Sequence, residues 1–255
     1  MKTILKLENV NKSIEIDKNN QRSLLGPINL QIQEGEFVSI MGPSGSGKST
    51  LLYHMSGMDK VTSGSVIFDG QELSSLSEQK LASLRLSKMG FIFQQIHLMK
   101  NLSIFDNIIL SGYLRKHSSR KEINRRAIEL METMGISGLI DNDITEASGG
   151  QLQRAAICRS LINNPSILFG DEPTGALNSK FANDIMEILG NINQAGTTIV
   201  LATHDIKVAA RTERVIYILD GNIVAERQLG KRFKNADAMQ ERERQLSEWL
   251  IQLGF

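Results

Sequence analysis

The nine residues GPSGSGKST at positions 42–50 constrain the possible folds more than any other stretch of the chain. They match the pattern G-x-x-x-x-G-K-[ST], in which backbone N–H groups turn inward around phosphate oxygens and a helix follows. The apolar run FVSIM at 37–41 directly before it predicts a buried strand, and a helix is predicted to begin near Lys48. Lys48 suits the β- and γ-phosphates of a nucleotide, and the hydroxyl of Ser49 suits Mg²⁺. An α/β unit with a phosphate-binding loop is therefore predicted.

Three further polar residues follow apolar strands. Asp171 and Glu172 end the stretch ILFGDE, and His204 follows TIVLAT. Ligands of open α/β sheets bind at the carboxyl ends of the strands. We therefore expect Asp171 in the Mg²⁺ shell, Glu172 polarising an attacking water, and His204 near the terminal phosphate. Taken alone, an acidic strand end is usually solvated and a lone histidine is usually structural; the phosphate loop favours the functional interpretation.

Hydrophobic periodicity predicts the remaining organisation. Alternation at Ile4/Leu7 and at 28–32 predicts two half-buried strands joined by the polar loop EIDKNNQRS at 15–23. The pattern is helical from about 98 to 165. The other predicted features are strands at 167–169 and 198–202, turns at Asp69-Gly70 and Asp220-Gly221, a capping box at Ser119 and Glu122, and an amphipathic helix from Ala236. The whole predicts an α/β core that carries an α-helical subdomain.

Composition excludes several classes of protein. The 255 residues carry 29 Lys or Arg and 28 Asp or Glu, which gives a net charge of +1. This small charge does not indicate a nucleic-acid partner. Cys158 is the single cysteine, which rules out an internal disulfide and fits a reducing compartment. No apolar run approaches the length of a membrane span, so we expect no direct membrane insertion. We expect a cytoplasmic protein that reaches the membrane only through a partner.

A second glycine-rich turn, ASGGQLQRAA, lies about a hundred residues after the first. Ser148 to Gln151 again read as a turn that opens a helix and cradles phosphate. With the motifs above, this stretch makes nearly the whole chain resemble the nucleotide-binding domain of ABC transporters. In chain order, the motifs resemble Walker A (42–50), the Q-loop glutamine (Gln94), the signature (148–151), Walker B (167–172), the D-loop (GALN, 175–178) and the switch histidine (His204).

The resemblance implies a P-loop NTPase core of the ABC type, a flanking antiparallel β subdomain and an α-helical signature subdomain. It implies one ATPase domain at 1–230, with core segments at about 1–94 and 166–230 and a helical subdomain at about 95–165, followed by a helical tail at 231–255. The implied cofactors are ATP and Mg²⁺. The implied ATP-binding residues are Gly42, Pro43, Ser44, Gly45, Ser46, Gly47, Lys48, Ser49, Thr50 and Gln94, the metal ligands are Ser49, Gln94 and Asp171, and the catalytic residues are Lys48, Glu172 and His204.

The same resemblance explains the second glycine turn. Two copies of such a domain dock head to tail, and Ser148, Gly149, Gly150 and Gln151 of one copy close over ATP bound by the Walker motifs of the other. A twofold interface uses the same patch from both subunits and so creates two shared sites. The resemblance thus predicts a homodimer that forms on ATP binding and separates after hydrolysis.

Three positions depart from the family pattern. Ala147 stands where leucine is usual and Asn178 where aspartate is usual. The chain has no aromatic residue before Phe37, whereas these domains usually stack adenine on an aromatic ring; Ile14 is closest to that register. Base stacking on an aromatic ring contributes about 1–3 kcal/mol in single-strand binders. We therefore expect weak nucleotide affinity and a relaxed base preference.

The motifs DEPTGALNSK and ATHD resemble the lipoprotein-release, macrolide-export and cell-division group, and GALNSK with the tail RERQLSEWLIQLGF resembles its bacitracin and lantibiotic resistance branch. That branch implies a permease of about ten membrane spans with an extracellular domain, a sensor kinase as a further partner, and a location on the inner face of the membrane. The alternatives are a lipoprotein-release, macrolide-export or cell-division ATPase, including a non-transporting one, and a soluble assembly factor.

Other stretches allow two interpretations each. The apolar segment around Gln94 is either a permease-docking surface or part of the core. The basic stretch from Arg115 to Arg126 is either a solvated helix face or a lipid-binding patch. Cys158, flanked by small and apolar residues, is expected in the core.

Overall fold

The computed structural model describes residues 2–17, 20–175, 178–231 and 236–255. They form two compact units, Met1–Ser77 with Gly190–Phe255 (unit 1) and Glu78–Leu189 (unit 2). The strands are β1 (Thr3–Asp17), β2 (Asn20–Gln33), β3 (Phe37–Met41), β4 (Ser63–Phe68), β5 (Gln71–Glu72), β6 (Met89–Phe93), β7 (Ile167–Asp171), β8 (Thr198–Thr203), β9 (Arg214–Leu219) and β10 (Asn222–Gln228). The α-helices are α1 (Lys48–Met55), α2 (Glu78–Lys88), α3 (Ile104–Arg115), α4 (Arg120–Thr133), α5 (Gly149–Leu161), α6 (Ser179–Gln194), α7 (Ile206–Ala209) and α8 (Ala236–Gln252).

Unit 1 contains an antiparallel sheet in the order β2-β1-β4-β5. The polar loop predicted at 15–23 is wrong in extent, because β1 and β2 continue as a paired hairpin to Asp17 and Asn20. Within it Ser13 pairs with Ser23 and Ile14 with Arg22. The described side chains at this end are mostly exposed, so polar residues are tolerated while backbone pairing holds the strands.

Parallel strands give unit 1 its core. Strand β3 pairs in parallel with β8 and β9, and β10 pairs antiparallel with β9. Every residue of β3 and β8 is buried, which explains their continuous apolar sequences. Helix α8 packs against these strands, where its Leu246 and Leu250 are buried with Met41 and Tyr217.

In unit 2, β6 pairs in parallel with β7, and helices α2 and α5 pack against β6. The capping box predicted at Ser119 and Glu122 is confirmed at the start of α4, and similar serine caps begin α3 and α5. Helix α2 was not predicted, because its sequence EQKLASLRLSK is largely polar and buries only Leu81 among its residues. Cys158 is fully buried in α5, as expected.

Within the part of the chain that the structure describes, none of the helices combines the length and the apolar character that crossing a bilayer requires.

Candidate nucleotide site

The glycine-rich loop after β3 is held by close backbone contacts in unit 1. A Cβ atom on Gly42 would lie 2.1 Å from the carbonyl oxygen of Ile218, so only glycine fits there. Gly47 has φ +102°, a left-handed conformation that favours glycine, and it caps the N-terminus of α1. The loop therefore needs glycine for its own backbone geometry as well as for access to a ligand.

Lys48 is buried at the start of α1 and is directed toward the loop. Its Nζ donates to the carbonyl oxygens of Gly42 and Pro43, both at 2.8 Å. Only 6% of Lys48 is exposed. These contacts fix an ammonium group within the loop, the arrangement expected of a residue that neutralises phosphate. Ser49 and Thr50 follow in the first turn of the same helix, whose N-terminus favours anions.

The turn between β9 and β10 braces the loop from the side. The Gly221 N–H donates to the carbonyl oxygen of Ser46 at 2.9 Å, and the Gly26 N–H donates to that of Gly221 at 2.9 Å. Gly221 has φ +76°, and a Cβ there would lie 2.4 Å from the Leu24 oxygen. The Oγ of Ser46 is buried and has no hydrogen-bond partner among the described residues. A buried hydroxyl in a loop of inward-turned backbone suits a phosphate oxygen, so the residues present fit a bound nucleotide.

His204 also belongs to unit 1. It is exposed and directly follows the last residue of β8. Beyond it, Asp205 caps α7 by accepting from the Lys207 N–H at 2.7 Å. Strand β8 and the short helix thus fix the backbone on both sides of His204.

The predicted carboxylates lie in unit 2. Asp171 is the last residue of β7 and pairs in register with Phe93, the last residue of β6, so Gln94 and Glu172 follow neighbouring strand ends. A Cβ on Gly175 would lie 3.1 Å from Nε2 of Gln94 and 3.3 Å from Oε2 of Glu172. The structure therefore brings Gln94 and Glu172 to the same short turn.

Glu172 has an unusual backbone. Its φ is +45°, in the left-handed region that residues other than glycine rarely adopt. Such conformations cost on the order of 1–3 kcal/mol and concentrate at functional sites. The Gly175 N–H closes this turn by donating to the Glu172 carbonyl oxygen at 3.0 Å.

The second glycine turn opens α5, also in unit 2. Ser148 accepts from the Gln151 N–H at 3.4 Å, and Gln151 Oε1 accepts from the Ser148 N–H at 2.8 Å. Ser148 and Gly149 are exposed, whereas Gly150 is buried and a Cβ on it would lie 3.1 Å from the ring of Phe181. The helix N-terminus is thus capped by its own side chains and presented to solvent.

Two contacts that sequence reasoning missed support this helix. The buried Nε2 of Gln153 donates to the carbonyl oxygen of Pro173 at 2.8 Å, which links α5 to the turn after Glu172. Asn178 Oδ1 accepts from the Phe181 N–H at 3.1 Å and so positions Phe181 against Gly150. The contact between Gln153 and Pro173 joins segments 20 residues apart, so no local pattern indicates it. Asn178 was noted in the sequence only as a departure from the D-loop pattern, and its cap on Phe181 was not predicted. Ala176 and Leu177 of the predicted D-loop lie outside the described residues.

The structure therefore gathers the predicted residues in two sets. The loop 42–50 and His204 belong to unit 1, and Gln94, the signature residues, Asp171 and Glu172 belong to unit 2. A glycine loop after a buried strand, a carboxylate at a strand end and a capped glycine turn are the parts of a nucleotide-hydrolysing cassette.

The family model described as ABC transporter matches residues 25–175, more than half of the chain. The chain therefore belongs to the ABC transporter ATP-binding family. It has the ABC cassette fold and is an ATPase that uses ATP and Mg²⁺.

Relatives with the same sequence identity to this chain have different roles. The chain is 42% identical to the lipoprotein-releasing system ATP-binding protein LolD 1 of Chlorobium chlorochromatii, over 89% of this chain and 93% of that protein. It is also 42% identical to the bacitracin export ATP-binding protein BceA of Halalkalibacterium halodurans, over 88% of each. Among solved structures, the dimeric post-hydrolysis state of the cassette MJ0796 bound to ADP and Pi has a TM-score of 0.82 and 41% identity, covering 88% of this chain and 98% of that one.

Proposed function

We propose that this chain is the ATP-binding subunit of a transporter that removes or exports antimicrobial peptides of the bacitracin or lantibiotic type. The observation that carries the proposal is the 42% identity to the bacitracin exporter subunit over 88% of both chains. The motifs GALNSK and RERQLSEWLIQLGF, noted in the sequence, support it further. In this proposal the chain lies on the inner face of the membrane and powers a permease of about ten spans with an extracellular domain. A sensor kinase completes the assembly.

The roles proposed within one cassette rest on the family resemblance and are supported by the local geometry of each set of residues. Lys48 and the backbone of 42–47 hold the phosphates, because the ammonium group and the turned amides are fixed in the loop. Ser49, Asp171 and Gln94 would hold Mg²⁺, which would neutralise charge at the phosphates. Glu172 polarises the attacking water and His204 contacts the terminal phosphate.

The signature residues are proposed to act on a second copy of the chain. Ser148, Gly149, Gly150 and Gln151 lie at the start of α5, an exposed N-terminus with the partial positive charge of a helix dipole. The solved MJ0796 cassette is described as dimeric with ADP and Pi. By the same arrangement, ATP joins two copies here and loss of its γ-phosphate releases them.

A lipoprotein-release function is the second candidate. The observation that favours it is the identity of 42% to LolD 1, which equals the identity to the bacitracin relative. The macrolide-export and cell-division ATPases of the same group, including a non-transporting one, belong to this alternative. In each of these complexes the cassette would hydrolyse ATP in the same way and act on a different permease.

The test is to identify the permease. A tagged Glu172→Gln variant is recovered from its native membranes with ATP bound, and the co-purifying protein is identified by mass spectrometry. Peptide resistance predicts a partner of about ten spans with a large extracellular domain. A partner of roughly four spans would support the alternative group instead. Recovery of soluble proteins only would contradict both.

A relaxed base preference is also proposed. Ile14 is 42% exposed on β1 and is paired with Arg22 across the hairpin, so this position offers no aromatic ring. Competition of GTP against ATP in a binding titration measures the preference. Similar affinities are expected, and a strong preference for ATP would contradict the proposal.

A further inference from the structure

The segment 115–126 concentrates positive charge. Its sequence RKHSSRKEINRR contains six Lys or Arg residues and one Glu, although the whole chain has a net charge of only +1. The rest of the chain is therefore net negative. The proposed transport function assigns no role to this segment.

The segment forms part of a cavity in unit 2. The cavity has a volume of about 280 Å³ and is bounded by the end of α3, the start of α4 and the residues after α5. Arg115, Arg125 and Arg126 line it, together with Ser118 and Asn163. This volume lies near the lower end of the range for small-molecule sites, which suits a small polar group.

Two of these arginines are held in place from behind. Arg115 Nη1 donates to the carbonyl oxygen of Asn163 at 2.8 Å. Arg126 donates from Nε to the Ile162 oxygen and from Nη2 to the Leu161 oxygen, both at 2.9 Å. Both side chains are only partly exposed. Their guanidinium planes are thus ordered before any ligand arrives, which reduces the entropy lost on binding.

The carboxylates of the same cavity are already engaged. Glu122 Oε2 accepts from both the N–H and the Oγ of Ser119, each at 2.8 Å. Glu129 lies 3.7 Å from Arg125. Among the described residues, neither Arg115 nor Arg126 forms an ion pair with a carboxylate within 4.0 Å. Burial lowers the pKa of Arg126 and the nearby charge of Glu129 offsets part of this effect, so a bound anion would further stabilise the charged form.

We propose that this cavity binds a phosphate group that carries a small organic substituent. Arg115 and Arg126 would donate their remaining N–H groups to phosphate oxygens, and Arg125 would add a third charge at the rim. Both an anionic lipid headgroup and a soluble phosphate ester have this chemistry. Leu110 and Leu114, one turn apart on α3, are 36% and 60% exposed and offer an apolar surface beside the arginine for a lipid source.

The test uses glycerol 3-phosphate and vesicles as probes for the full chain. A non-hydrolysable ATP analogue with Mg²⁺ is present throughout, so that the nucleotide site cannot bind the probe. Glycerol 3-phosphate is titrated by calorimetry, and vesicles of phosphatidylcholine with or without phosphatidic acid are tested by co-sedimentation. Loss of two charge-assisted contacts in the double variant Arg115→Gln/Arg126→Gln is expected to weaken binding about tenfold or more.

The matched control removes the same charge elsewhere in unit 2. Lys88→Gln/Lys100→Gln changes two exposed lysines outside the cavity and is expected to bind the probes like the parent. Selective loss in the arginine variant supports the proposal. Binding of phosphatidic acid vesicles with this selectivity assigns a lipid source, and binding of glycerol 3-phosphate alone assigns a soluble one. Equal loss in both variants, or no binding of either probe, would overturn the proposal.

A second variant keeps both arginines. Ser118 is exposed and lines the cavity, so Ser118→Trp is expected to fill it without removing a group that bonds Arg115 or Arg126. It decides the question if the arginine variant fails to fold. Weakened binding is expected, and unchanged binding in Ser118→Trp would contradict a site inside this cavity.

Discussion

At the scale of single residues, Lys48 has the most direct predicted effect. Its ammonium group is buried and donates to two loop carbonyls, so Lys48→Ala removes the positive charge that is proposed to neutralise the phosphates. A loss of about 1.5–3 kcal/mol of nucleotide binding is expected. Binding of a fluorescent ATP analogue measures it, with Lys100→Ala as an exposed control. Unchanged affinity in Lys48→Ala would refute the phosphate role.

Cys158 gives a second prediction at this scale. Burial raises the pKa of its thiol to about 12, so the reactive thiolate is scarce at pH 8 in the folded chain. A thiol-reactive dye should label the protein rapidly only after denaturation, when the pKa returns to its ordinary value of about 8.5. Rapid labelling of the folded protein at pH 8 would show that α5 opens readily.

At the scale of elements, α4 and α5 begin with the same device. Ser119 and Ser148 each cap their helix within a capping box. Each serine-to-alanine change is therefore expected to lower the free energy of unfolding by about 1 kcal/mol. Only Ser148→Ala should also weaken ATP-dependent dimerisation, because only Ser148 belongs to the proposed signature. Chemical denaturation measures the free energy of unfolding, and analytical ultracentrifugation measures dimerisation. An equal loss of dimer in Ser119→Ala would contradict the proposed role of Ser148.

Helix α8 provides a prediction about stability. Leu246 is fully buried with Tyr217 and Met41, whereas Ile251 on the same helix is 65% exposed. Leu246→Ala should cost about 2–5 kcal/mol through lost burial and a cavity. Ile251→Ala should change stability by less than about 0.5 kcal/mol. Denaturant titration followed by Trp249 fluorescence compares them; equal effects would show that α8 does not depend on this contact.

Some of the helices and strands could be predicted from the sequence and others could not. The phosphate loop, the buried strands and the capping boxes are local patterns, so β3, α1 and the start of α4 were predicted from sequence. The end of the hairpin β1–β2 was not predicted, because its polar residues give no apolar alternation and backbone pairing holds it. Helix α2 was not predicted, because Leu81 is its single buried residue. Contacts such as Gln153 with Pro173 join distant segments and leave no local signature.

At the scale of the whole molecule, two copies of the chain are expected to share two nucleotides. Each copy carries the phosphate loop and the exposed signature turn, and the related cassette MJ0796 is described as a dimer with ADP and Pi. Binding of ATP should therefore be coupled to association. We expect this coupling of ATP binding to association in either branch of the family, since the branches differ in the permease they serve.

The most direct measurement of this claim is the sedimentation of Glu172→Gln with saturating ATP and Mg²⁺. Glutamine cannot act as a base toward water, so ATP stays intact and its γ-phosphate continues to hold the two copies together. The matched control Glu187→Gln changes an exposed carboxylate on α6 and should hydrolyse ATP without trapping a dimer. We expect a stable dimer of Glu172→Gln with ATP and a monomer without it. A monomer at saturating ATP would contradict the shared site.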